Sequence, residues 1–191
     1  DLAILGTDQV PPIVAFKEGY ELGAYAVNQD IKVISQYHPG PVVDSFNDLE
    51  WGRQTALSLV EQGADVIFAA AGRTGNGALT ELAQQEDVIC IGVDSDQWLT
   101  IPEAQPCLLS SAMKRVDRGV FELIAWNSLG DAKIGNYVGN VELAPFHDFE
   151  DQLSAEAKSF LNNLKRGLEE DSIKFDGTHT EDNPPKVSLD R

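Results

Sequence analysis

The chain has 191 residues and a formal net charge of −17, a balance that phosphate backbones and anionic membrane surfaces would repel, so nucleic acid is excluded as a partner class. With 42% hydrophobic and 24% charged residues it can bury a real core, and no apolar run approaches the length of a membrane span. It begins without Met and already inside a strand-like run, so an export signal could have been removed.

Leu2 to Leu5 reads as a short buried strand ending at Gly6-Thr7-Asp8. Pro11 and Pro12 open a helix to about Val27, with Ile13, Phe16, Tyr20, Leu22 and Tyr25 near helical spacing and Gly19 and Gly23 permitting close packing. Ile31 to Tyr37 alternates and is the next strand. Ser45-Phe-Asn-Asp48 is a turn with helix-capping residues, and the helix that follows runs from Trp51 to Val60 and is closed by Gly63. Asp65 to Ala71 is a third buried strand, and Gly72-Arg-Thr-Gly-Asn-Gly77 leads from it into a helix through Leu82.

Val88-Ile-Cys-Ile-Gly-Val-Asp-Ser-Asp-Gln97 is the fourth strand and its exit. It is continuously apolar and then abruptly polar, the pattern of a parallel strand buried on both faces. Cys107 to Ser111 is a fifth strand, and a helix spans about Met113 to Leu129. Lys133 to Val138 is a further strand, and Val141 to Ala144 is a candidate for another. Ser154 caps a helix through Leu168. From Gly177 to Arg191 the chain turns polar and reads as a loose tail. Strand and helix alternate from residue 1 to about 138, which makes the chain α/β, a parallel sheet wrapped by right-handed crossovers.

In such sheets, ligands bind in the crevice at the carboxyl ends of the strands. Asp94 sits there, either capping the loop that follows or meeting a ligand hydroxyl. Asp96 falls in the turn, and no activated partner makes the two an acid–base pair. Lys114 falls in the first turn of the helix after the fifth strand, where a cation is electrostatically unfavourable. It either snorkels to solvent or has a specific acceptor such as a ligand hydroxyl or Asp94.

Gly72-x-x-Gly-x-Gly77 does not have dinucleotide-binding spacing and carries no phosphate-loop lysine. It reads as a tight strand-to-helix turn whose free amides could donate to a neutral polar ligand. His38, His147 and His179 are widely spaced and read as surface residues without metal-ligand or nucleophile spacing. Cys90 and Cys107 lie in apolar segments without a CxxC and read as buried free thiols, a disulfide requiring geometry that sequence does not supply. No catalytic residue, metal site or cofactor is expected.

Taken in order, Phe16-x-x-Gly19-x-x-x-Gly23, Ser45-Phe-Asn-Asp48, Gly63-Ala-Asp-Val-Ile-Phe-Ala-Ala-Ala-Gly72-x-Thr-Gly75, Ile91-Gly-Val-Asp-Ser-Asp-Gln97 and Lys114-Arg-Val-Asp117 resemble the basic membrane protein family. These are PnrA-like nucleoside-binding lipoproteins of bacterial ABC importers. The resemblance runs from about residue 2 to 145 and more weakly to Gly177. It implies a periplasmic-binding-protein type I fold of two flavodoxin-like lobes, each a parallel sheet with helices on both faces. A purine nucleoside would be held between the lobes without chemistry and passed to a membrane permease. The protein would be cell-surface or periplasmic and lipid-anchored.

By matching motif, Asp94 would accept from ribose hydroxyls and Lys114 would reach the same sugar. Gly72 and Thr74 would line the cleft, and Phe68 would offer an aromatic face near the base. Residues 1–111 would be the second lobe, 112–176 a crossover and return segment, and 177–191 a flexible tail. Family members carry a further segment ahead of Leu2 that forms most of the first lobe and grips the base. The helix from Met113 to Leu129 has an apolar face of Val116, Val120, Phe121, Ile124 and Leu129, expected either to fold back on the sheet or to dock against a second copy in a homodimer. The rival classes are the effector-sensing domain of a transcriptional regulator and, less well supported, an α/β sugar-metabolising enzyme.

Overall fold

The computed structural model describes residues 1–131, 134–170 and 172–173. The tail Gly177–Arg191, with His179, lies outside them. Five strands run parallel in one sheet: β1 (Leu2–Gly6), β2 (Val33–Tyr37), β3 (Val66–Ala69), β4 (Ile89–Asp94) and β5 (Leu108–Lys114). A sixth, β6 (Val141–Leu143), pairs antiparallel with β5. The spatial order is β2-β1-β3-β4-β5-β6, the flavodoxin-like order with one added edge strand.

The helices in chain order are α1 (Pro11–Val27), one-turn α2 (Val42–Ser45), α3 (Leu49–Glu61), α4 (Gly72–Leu82), one-turn α5 (Gln97–Thr100), α6 (Val116–Leu129) and α7 (Ala155–Glu169). Their starts follow capping chemistry. Pro11 occupies the first turn of α1, Asp48 accepts from the Trp51 N–H at 2.9 Å, and Ser154 accepts from the Ala157 N–H at 3.1 Å.

Both faces of the central strands are covered, which is why β1, β3 and β4 read as continuous apolar runs rather than alternating ones. On one face Leu5, Ile67, Cys90 and Leu108 pack with Leu59, Leu79 and Leu82. On the other, Ile4, Phe68 and Val93 pack under Ile13, Phe16 and Tyr20 of α1. The glycines around Gly72 serve helix packing. A Cβ at Gly77 would run into the Leu49 carbonyl and one at Gly52 into the Thr74 carbonyl, so α3 and α4 touch backbone to backbone. Among the described residues no helix is long and apolar enough to cross a membrane.

Four expectations are corrected. Cys90 and Cys107 are joined in a disulfide, their Cα atoms 5.1 Å apart. Adjacent parallel strands make that approach: the Cys90 N–H donates to the Cys107 carbonyl at 2.7 Å. His38 is a buried residue, its Nδ1 accepting from the Gly40 N–H at 3.0 Å and its ring edge-on to Trp51 at 4.7 Å. Residues 134–138 are not a strand. Tyr137 instead packs on α6, its hydroxyl donating to Glu122 at 2.7 Å and its ring 5.8 Å from Trp126. Lys114 is the last residue of β5, not the first turn of a helix, because pairing with β6 (Met113 with Glu142, Lys114 with Val141) keeps the chain extended past Ser111.

Beyond Lys114 the chain leaves the sheet as α6 and re-enters it at Val141, the Arg115 N–H meeting the Asn140 carbonyl at 3.0 Å. Val116, Val120, Phe121, Ile124 and Leu129 on α6 are all exposed. The helix does not fold back onto the sheet.

Candidate functional site

The carboxyl ends of β4 and β5 place Asp94 and Lys114 side by side. Lys114 Nζ lies 2.7 Å from Asp94 Oδ1, the side chains 37% and 53% exposed. The same ammonium stands over the Phe16 ring at 5.0 Å from its centroid. A pair this open to water contributes about 0–1 kcal/mol to stability, so folding has little stake in it. What the pair offers is a carboxylate with unused lone pairs, three ammonium protons and an adjoining aromatic face.

The other site residues of the sequence reading fall differently. Phe68 is 3% exposed and lies in the core, edge-on to Phe16 at 5.7 Å and tilted against Tyr20 at 5.5 Å. It supports Phe16 from beneath and presents no face to solvent. Thr74 is fully buried, its hydroxyl accepting from the Asp48 N–H at 2.9 Å and tying α4 to the start of α3. Gly72, at φ +55, begins α4 close against Phe46, and the Arg73 N–H donates to the Phe46 carbonyl at 3.0 Å. Asp94, Lys114 and Phe16 thus converge, while Thr74 and Phe68 act from below the surface.

Three residues at the site were missed as such in the sequence. Phe16 read only as one apolar position of α1, although it opens the first quoted motif. Gln97 is buried and makes three bonds: its Oε1 accepts from the Val93 N–H at 2.7 Å, its Nε2 donates to Asn76 at 3.0 Å, and its own N–H donates to Ser111 Oγ at 3.2 Å. His147 meets Asp96 at 2.8 Å and stacks on Trp98 at 4.3 Å, and nothing in the local sequence signals either contact.

Charge is settled locally where the chain leaves the sheet. Arg115 grips Asp117 through two nitrogens, at 3.0 and 2.8 Å, and reaches Glu142 through a third at 2.6 Å. The guanidinium beside it holds the Asp117 carboxyl down at about 2, and Arg115 itself is raised by the same two carboxylates. Among the described residues no group of three or more His, Cys, Asp or Glu side chains could hold a metal ion. The arrangement is suited to gripping a polar, hydroxyl-bearing solute.

Residues 3–132 match the family model for Bmp, the PnrA-like ABC transporter substrate-binding proteins. The chain is 41% identical over 111 residues to basic membrane protein D of Borreliella burgdorferi, a match covering 57% of this chain and 30% of that protein. It is 32% identical over 176 residues to basic membrane protein A of Borreliella afzelii, covering 84% of this chain and 51% of the relative. The chain thus spans about half the length of that relative.

Among solved structures, an ABC transporter solute-binding protein from Aeropyrum pernix superposes with a TM-score of 0.71 at 21% identity, over 95% of this chain and 58% of its own. A transcriptional activator of the comK gene from Bacillus halodurans does so with a TM-score of 0.67 at 18% identity, over 87% of this chain and 54% of its own. At those identities the structural likeness speaks for the fold alone. The family match covers more than half of the chain and agrees with the order of the sequence motifs, and on that ground the chain belongs to the basic membrane protein family of PnrA-like ABC transporter substrate-binding proteins.

Proposed function

We propose that this chain is the ligand-gripping lobe of an ABC-importer solute receptor, and that its solute is a purine nucleoside held without chemistry. The observation that carries this is the Asp94–Lys114 pair at the carboxyl ends of β4 and β5, set over the Phe16 ring. Neighbouring ribose hydroxyls can both donate to one carboxylate, and Lys114 can donate to a sugar oxygen while retaining Asp94. Phe16 offers a face on which a base can rest, with Phe68 and Tyr20 bracing it. The Gly72 turn borders the cleft, and Thr74 fixes that turn to α3.

The opposite wall is supplied by a second lobe, of the kind the longer relatives have room for. A permease in the membrane receives the solute, and the protein works outside the cytoplasm on a lipid anchor. The Cys90–Cys107 bridge supports an oxidising compartment and counts against the cytoplasmic regulator reading that the shared fold would otherwise allow.

Calorimetry with inosine, guanosine and adenosine, with ribose and free bases as controls, tests the reading on the two-lobed protein. Nucleosides are expected to bind and ribose alone to bind far more weakly. The 191-residue chain alone is expected to bind nucleosides weakly or not at all, since one wall supplies roughly half of the burial a cleft ligand needs. A two-lobed protein that binds a sugar or peptide and ignores every nucleoside would overturn the assignment.

A further inference from the structure

The turn that carries Asp94 is strained. The Ser95 N–H donates to the Val93 carbonyl at 2.8 Å, closing a three-residue turn with Asp94 at its centre and at φ +70. A left-handed turn of this size is rare for a residue with a Cβ and persists only where its surroundings over-determine it. Two anchors are local. Gln97 holds the Val93 N–H, and Asp96 caps α5 by accepting from the Trp98 N–H at 3.2 Å.

The third anchor comes from 51 residues away. His147 Nε2 lies 2.8 Å from the second Asp96 oxygen, the two side chains only 19% and 15% exposed. The His147 ring lies flat on Trp98, centroids 4.3 Å apart and planes 13° from parallel. His147 is itself left-handed, at φ +43. Among the described residues the non-glycine positions at positive φ are Asp87, Asp94 and His147, so two of the three fall in this one cluster. The segment bearing His147 is also pinned to β5: the Ala144 N–H donates to the Ser111 carbonyl at 2.9 Å, and Ser110 Oγ donates to the Ala144 carbonyl at 2.8 Å.

We infer that His147 is a positioning residue for Asp94: by clasping Asp96 it keeps the strained turn closed and the Asp94 carboxylate aimed at Lys114. The direction in which Asp94 projects is set by its backbone angle, so relaxing the turn to an ordinary conformation would swing the carboxylate away. Without the His147 donor, the Asp96 oxygen would be left poorly solvated and unsatisfied, and the turn would lose its tie to the return segment. The bearing of the clasp on ligand capture rests on the reading of Asp94 and Lys114 as ligand-binding; the clasp itself does not.

The test is amide hydrogen exchange on the 191-residue chain, comparing His147→Phe, which keeps a ring over Trp98 and loses the donor, with His147→Gln, which keeps a donor and loses the ring. In His147→Phe the Ser95 amide is expected to exchange roughly tenfold faster, with the Asp94 side-chain resonances shifted and the β1 and β3 amides unchanged. His147→Gln is expected to stay within about twofold of the parent at Ser95. If His147→Phe does not fold, Asp96→Asn makes the same comparison from the acceptor side, with the Trp98 cap retained. Unchanged Ser95 exchange in His147→Phe, or equal damage in both His147 variants, would overturn the inference in favour of simple packing. Absence of inosine binding by the unmodified two-lobed protein would sink the nucleoside reading alone, because the exchange comparison uses no ligand.

Discussion

Reducing the Cys90–Cys107 bridge perturbs the lobe without touching the candidate site. The bridge closes a loop with a sequence separation of 17. A cross-link over that length removes chain entropy from the unfolded state worth about 3 kcal/mol. Reduction is a cleaner perturbation than replacing both residues by alanine. Both sulfurs are buried, and reduction leaves them in place, whereas alanine adds two voids to the same loss. With a urea dependence of about 2 kcal/mol per molar for a domain of this size, the unfolding midpoint should fall by about 1.5 M when the protein is refolded under reductant.

The bridge sits at the amino ends of β4 and β5, whereas Asp94 and Lys114 sit at the carboxyl ends, where the ladder pairs Asp94 with Met113. Stability should therefore fall while the Lys114 and Asp94 resonances keep their positions. Matching midpoints for oxidised and reduced protein, with thiol state verified by alkylation, would refute the loop-entropy argument. Two free thiols in the unreduced, unfolded protein would refute the bridge itself.

If the proposed function holds, Asp94→Ala in the two-lobed protein should weaken nucleoside binding by about 2–3 kcal/mol and more than Asp96→Ala does, because in that proposal Asp94 meets the ligand and Asp96 only holds the turn. Calorimetry ranking the two the other way would reverse their roles. The exposed α6 face of Val116, Val120, Phe121, Ile124 and Leu129 should make this chain self-associate, since each such side chain gains about 1.5–3 kcal/mol on full burial. Light scattering across a concentration series should show this, with Phe121→Glu plus Ile124→Glu abolishing it; a strict monomer at every concentration would reject it. The Asp117 carboxyl, ordinarily near 3.8, is held at about 2, so its contribution is present above the ordinary value and is lost as pH falls from there towards 2. NMR titration should find Asp117 protonating well below the ordinary aspartate range, and Asp117→Asn should remove that acid-sensitive step.

Local chemistry made much of the fold legible. Continuous apolar runs marked β1, β3 and β4, because a parallel strand covered on both faces has no polar side to show. Pro11, Asp48 and Ser154 marked helix starts because each satisfies or dispenses with an orphan backbone donor within its own few residues. Asp94 could be placed at a strand end from those runs alone, since its position follows from where the apolar stretch stops.

What sequence could not supply in each case depends on a partner distant along the chain. Lys114 became a strand residue because Val141 and Glu142 return to pair beside it. Cys90 meets Cys107 because two strands lie adjacent. Phe16, not Phe68, faces the site because the strand alternation turns Phe68 inward beneath α1. His147 reaches Asp96 across 51 residues, and that approach exists only once β6 has brought the chain back to the sheet. Propensity and periodicity act over a few residues, so they determine elements and their ends. Which side chains meet at the ends is decided by packing the whole sheet.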